Sequence, residues 1–127
     1  MSKLESLLII SASEALGASV RECAPKGWNV VQAFCGEHGL KVISQLLPVL
    51  VVVDAHLPDM NGLAVLDRLN GASSALVLTS QHDSEELKRI ALARGAQAYK
   101  PYPGEDEDAE SWLQELVSLG EGRPELH

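Results

Sequence analysis

Aromatic side chains are scarce in this chain, with one Phe, two Trp and two Tyr among 127 residues. Any core must therefore be built from aliphatic packing. Cysteine is nearly as rare. Cys23 and Cys35 could close one bridge, but a chain with this many Leu, Val and Ala residues needs no staple, so both read as free thiols of a reducing, cytoplasmic setting. Basic charge is missing from one end. Residues 105–127 hold eight acids and only Arg123, while residues 1–104 hold ten acids and nine bases. The net charge of −8 is thus a property of the C-terminal end, and the balanced remainder offers no basic stripe for nucleic-acid binding. Long apolar runs are absent too. Val49–Val53 is far short of the roughly 20 residues that span a bilayer, and Leu7–Ile10 is too short for a signal sequence.

What remains is a pattern of short apolar runs at Leu7–Ile10, Val30–Ala33, Val49–Val53 and Ala75–Leu78. They are rich in Val, Ile and Leu and alternate little, as strands buried on both faces do. Between them lie helical spacings: Leu16, Val20 and Cys23; Leu40, Ile43 and Leu47; Leu63, Leu66 and Leu69; Leu87, Ile90 and Leu92. A weak fifth strand is expected at Ala96–Tyr99 and a fifth helix at Ala109–Leu119, with Gly120 placed to end it. The acidic run Glu105–Asp108 suits the start of that helix. This alternation predicts a single α/β domain over residues 5–119, with residues 120–127 a flexible end. Its sheet should be doubly wound, parallel and five-stranded, in the flavodoxin-like order 2-1-3-4-5 with helices on both faces. Function in such sheets sits at the carboxyl ends of the strands. Those ends carry Ser11-Ala12-Ser13, Asp54, Thr79-Ser80 and Lys100-Pro101.

The segment from Pro48 to Gly62 resembles the phosphoacceptor strand and loop of bacterial response-regulator receiver domains. An apolar strand delivers Asp54, Pro58 follows four residues later and Gly62 eight, with Leu57, Met60 and Asn61 at the intervening signature positions. Val77-Leu78-Thr79-Ser80, Arg94-Gly95-Ala96 and Lys100-Pro101 resemble later landmarks of the family, and the likeness covers about residues 5–119. It implies that Asp54 is the phosphoacceptor, Thr79 the switch hydroxyl and Lys100 the cation that contacts the phosphoryl group. It also implies Mg²⁺ held by Asp54, by the backbone carbonyl of His56 and by an acidic pair after the first strand.

Two departures bear on the chemistry. Ser11 and Ala12 stand where the acidic pair belongs and supply no carboxylate, and Glu14 is better placed to serve the first helix, with Ser13 as its cap. Only Gln97, Ala98 and Tyr99 separate Gly95-Ala96 from Lys100-Pro101, where the family typically has five residues. The fifth strand should then be about 6–7 Å shorter, leaving Lys100 set back and the switch aromatic to be either Tyr99 or Tyr102.

The expectation is a stand-alone, atypical receiver in two-component signalling. It would work through protein contacts with weak or no Mg²⁺-dependent phosphorylation, and it would not be an enzyme. Its partners would be a histidine kinase or other signalling protein and a downstream effector. A homodimer through the fourth helix, fifth strand and fifth helix is allowed. A conventional receiver phosphorylated on Asp54 is the alternative. A dehalogenase-type hydrolase would need a second acid near Asp54, where His56 stands instead.

Overall fold

The computed structural model describes residues 5–69, 74–103 and 108–121. Five strands, β1 (Ser6–Ile10), β2 (Asn29–Ala33), β3 (Leu50–Asp54), β4 (Ala75–Ser80) and β5 (Ala98–Pro101), alternate with five helices. These are α1 (Glu14–Cys23), α2 (Gly36–Leu46), α3 (Gly62–Arg68), α4 (Glu85–Ala93) and α5 (Ala109–Glu121). The sheet runs β2-β1-β3-β4-β5 with every pairing parallel, as the alternation predicted.

The lack of alternation in β1 and β3 has its cause in burial from both sides. Leu7 to Ile10 and Leu50 to Val53 are fully buried, each contributing about 1.5–3 kcal/mol of apolar burial. Odd and even positions feed different layers. Leu8, Ile10, Val51, Val53, Leu76 and Leu78 pack toward α2, α3 and α4. Leu7, Ile9, Leu50, Val52, Ala75 and Val77 pack toward α1 and α5. Three helices are started by side-chain caps. Ser13, Asn61 and Ser84 accept from the backbone N–H of Leu16, Ala64 and Leu87 at 3.0–3.1 Å, each cap worth about 1 kcal/mol.

Some expectations shift. β5 begins two residues later than the apolar pattern suggested and, at 4 residues, is the shortest strand of the sheet. Its ladder is extended at the front by Gln97, which donates its backbone N–H to Leu76 O at 2.8 Å and accepts from Leu76 N–H through Oε1 at 2.9 Å. Leu47 is no part of the α2 core stripe. It caps the helix in the left-handed region at φ 51°, 73% exposed, and Leu46 packs inward instead. Leu92 is likewise exposed while Ala91 is buried, so the inner face of α4 runs Leu87–Ala91. Gly120 does not end α5, which continues to Glu121. Residues 122–127 of the expected flexible end, and Glu105–Glu107 of the acidic run, lie outside the described residues.

Candidate functional site

Parallel register sets Asp54, Thr79 and Lys100 side by side in one row across β3, β4 and β5. Ser11 follows the last paired residue of β1, Ile10, which is level with Val53. By the period of two, all four side chains start on the α1–α5 side of the sheet. The topology therefore assembles the residues singled out from the sequence, but their side chains do not all converge.

Asp54 is 4% exposed, and both of its carboxylate oxygens accept hydrogen bonds. Oδ2 accepts from Ser11 Oγ at 2.8 Å and from the Tyr102 hydroxyl. Oδ1 accepts from the backbone N–H of His56 at 3.2 Å. Burial, followed by the hydrogen bond to Asp54, pushes the Tyr102 phenol up to about 12. The ammonium of Lys100 pairs with Glu115 of α5 at 2.6 Å, and none of the hydrogen bonds that Asp54 accepts from the described residues comes from it. Thr79 Oγ1 is buried and has no hydrogen-bond partner among the described residues. His56 contributes its backbone to the site, and its side chain is exposed. Glu14 is an exposed first residue of α1.

Tyr102 is the residue that the sequence reading left unassigned. A signal for it existed. Counting the family's usual five residues on from Gly95-Ala96 lands on Tyr102-Pro103, not on Lys100-Pro101. The structure agrees with that count, because Tyr102 continues the β4–β5 ladder by donating its N–H to Ser80 O at 2.8 Å. Two residues beyond Lys100, it returns to the same face. Trp112 fixes this end of the chain by donating Nε1–H to Pro101 O at 2.7 Å.

The loop after β3 explains its signature residues. Gly62 N–H donates to Ala55 O at 2.8 Å, folding the backbone so tightly that a Cβ at Gly62 would sit 2.3 Å from Asp54 O. Only glycine fits. Asp59 reaches across to α2, accepting from the backbone N–H groups of Gly36 and Glu37 at 2.8 and 2.9 Å, and these two bonds hold its carboxyl below the usual value. On the other side of the row, Gln32 of β2 donates Nε2–H to Ser11 O and Ser13 O at 2.9 and 3.0 Å, fixing the β1–α1 loop. Above Asp54 opens a groove of about 410 Å³ lined by His56, Ser80, His82, Asp83, Ser84, Leu87 and Tyr102.

This donor set does not fit Mg²⁺, which asks for carboxylate and water oxygens in a near-octahedral shell. Both oxygens of Asp54 accept protein hydrogen bonds, two of them on Oδ2, Ser11 and Ala12 bring no carboxylate, and among the described residues no three His, Cys, Asp or Glu side chains cluster to hold a metal.

No protein-family model matches the chain. It is similar to the nitrate/nitrite response regulator protein NarL of Escherichia coli strain K12, with 35% identity over 107 residues, 80% of this chain and 50% of the relative. It is also similar to the transcriptional regulatory protein AfsQ1 of Streptomyces coelicolor, with 31% identity over 111 residues, 84% of this chain and 49% of the relative. The chain thus spans about half the length of these curated relatives. Among solved structures, the CheY-like response regulator receiver domain protein of Methanospirillum hungatei superposes with a TM-score of 0.80 at 22% identity, covering 94% of this chain and 96% of that one. The NarL signal receiver domain of Mycobacterium tuberculosis gives 0.79 at 20% identity, covering 96% and 100%.

A parallel sheet of order 2-1-3-4-5 with a buried carboxylate at its switch point, tied down by a Gly62-dependent loop, defines a domain of the flavodoxin-like class. More particularly, the chain belongs to the response-regulator receiver family of two-component signalling.

Proposed function

We propose that this domain is an atypical receiver, in which Asp54 serves as a structural hydrogen-bond acceptor and signalling proceeds through protein–protein contacts with weak or no Mg²⁺-dependent phosphorylation. One observation carries the reading: the oxygen of Asp54 that accepts from Ser11 also accepts from Tyr102. Phosphoryl transfer to a carboxylate depends on positive charge placed around the incoming group. Here the donors are a hydroxyl, a phenol and a backbone N–H, all neutral, and the hydroxyl and the phenol meet on the same oxygen, Oδ2. Such a domain would work in the cytoplasm between a histidine kinase or other signalling protein and a downstream effector, with no nucleic-acid contact of its own. The α4–β5–α5 face is available for a homodimer.

One feature favours the conventional alternative, phosphorylation of Asp54 by a histidine kinase. The buried Thr79 hydroxyl, level with Asp54, has no hydrogen-bond partner among the described residues and could close on a phosphoryl oxygen. Incubation with radiolabelled acetyl phosphate and Mg²⁺, with Asp54→Asn as control, separates the two. We expect wild type to label no more than the control. Robust labelling of wild type would overturn the proposal. The triple variant Ser11→Asp, Ala12→Asp, Tyr102→Lys should gain labelling, since it supplies the missing acids and cation, and Ser11 and Tyr102 already contact Asp54.

A further inference from the structure

Gln32 stands on β2, the outer strand of the sheet, level with Ile9 of β1. Its side chain leaves on the face where Ile9 packs toward α1 and α5, and there its amide reaches the loop that follows β1. Nε2 carries two protons and both are used, one on Ser11 O at 2.9 Å and one on Ser13 O at 3.0 Å. Oε1 faces Arg21 Nη1 at 3.4 Å. The three contacts agree on one orientation of the amide, because turning it over would set Oε1 against two carbonyl oxygens. Within the loop so held, the Ser13 N–H donates to Ser11 Oγ at 3.1 Å. An N–H aimed at a hydroxyl oxygen takes one of its lone pairs and leaves the single hydroxyl proton to be donated outward. Its acceptor is Asp54 Oδ2, at 2.8 Å. Helix α1 makes room for this arrangement. A Cβ at Gly17 would lie 1.9 Å from Gln32 Oε1 and 2.4 Å from its Cδ, so the glycine, unfavourable inside a helix on its own account, falls where α1 crosses the amide.

We infer that Gln32 is a positioning residue for the Asp54 carboxylate: by holding the carbonyls of Ser11 and Ser13 it keeps the Ser13 N–H on Ser11 Oγ, and so turns the Ser11 hydroxyl proton toward Asp54. The site then reaches the outer strand of the sheet, where no site residue was expected. Where an acidic pair after β1 would gather this loop around a cation, the loop is gathered here around an amide. The inference concerns the resting arrangement around Asp54 and holds whether or not that carboxylate can be phosphorylated.

Site-resolved amide hydrogen exchange and the ¹³C resonance of the Asp54 carboxyl, both read on the intact chain, test it. Neither involves a phosphodonor, so the outcome is independent of the labelling experiment. Gln32→Met keeps the length of the side chain and removes both donors. It should speed Ser13 exchange roughly tenfold and shift the Asp54 resonance in the direction in which Ser11→Ala shifts it, while Val52 in the middle of β3 keeps its rate. Combined with Ser11→Ala it should move that resonance no further, because the bond from Ser11 can be lost only once. The inference is overturned if Gln32→Met leaves Ser13 protected, or if the two shifts add. It is overturned too if Ser13 is released with the Asp54 resonance unmoved, as a tie that only fastened β2 to α1 would do. Should Gln32→Met fail to fold, or speed Val52 as well, Gly17→Ala decides. Its methyl displaces the amide while favouring the helix, and it should shift the Asp54 resonance in the same direction; an unmoved resonance would equally overturn the inference.

Discussion

Between Asp54 and Gly62 the backbone leaves almost no freedom, whereas the ends of β1 and β5 on either side present Ser11, Ala12 and Tyr102 where a phosphorylation site would present charge. The two regions answer to different constraints. The β3–α3 segment is fixed by close contact of main chain with main chain, by the Asn61 cap and by the clasp of Asp59 on α2. The flanks are fixed by side chains that have simply found one another around a carboxylate. Placement of the acid and handling of its charge are thus separable, and a domain can keep the first while exchanging the second.

The sharpest way to break the rigid side is Gly62→Ala. Its methyl would meet Asp54 O, and an overpacked site of this kind should cost about 3 kcal/mol, read from urea unfolding. A full-strength variant would show that the loop can yield. On the flanking side, Tyr102→Phe removes a hydrogen bond to a charged acceptor and should cost about 1.5 kcal/mol at neutral pH. The same bond has a pH signature. The phenol ionises near 12 in the folded protein against an ordinary value of 10. Its stabilisation is therefore complete below pH 10 and is lost as pH rises toward 12. Ultraviolet titration should show this late ionisation, and Asp54→Asn should bring it down toward 10. An unmoved midpoint would mean that burial alone, without Asp54, sets it.

Smaller again is the Asp59 clasp. Its carboxyl ionises below its ordinary 3.8, so its contribution is present above that pH and disappears as pH falls through the lowered value. Asp59→Asn should flatten the acid limb of the stability profile. The smallest effect is expected from Glu115→Gln, since the ion pair of the exposed Glu115 with Lys100 is worth about 0.5 kcal/mol. If this variant instead changed labelling by acetyl phosphate, Lys100 would belong to the site after all.

The sheet order, the layers and the Pro48–Gly62 loop were legible because each is written in contiguous residues. Tyr102 was not, for a physical reason. Lys100-Pro101 matches the family's residue types and sits two residues early, and a slip of two in a strand keeps every side chain on its own face. Hydrophobic alternation is blind to such a slip. Only the length of chain after Gly95-Ala96 records it, and the same slip moved the expected start of β5. Leu47 and Leu92 misled differently: both lie on apolar helical spacings, but one falls past the last turn of α2 and the other turns outward beside buried Ala91.

The bond from the Trp112 indole to Pro101 O gives the molecule an optical gauge. With aromatics so few, the long-wavelength emission comes from two indoles, one sealed between α5 and the end of β5 and the other, Trp28, partly buried. Any partner or substitution that lifts α5 from β5 would wet the sealed indole and shift its emission to the red, so the seam reports on itself without a label.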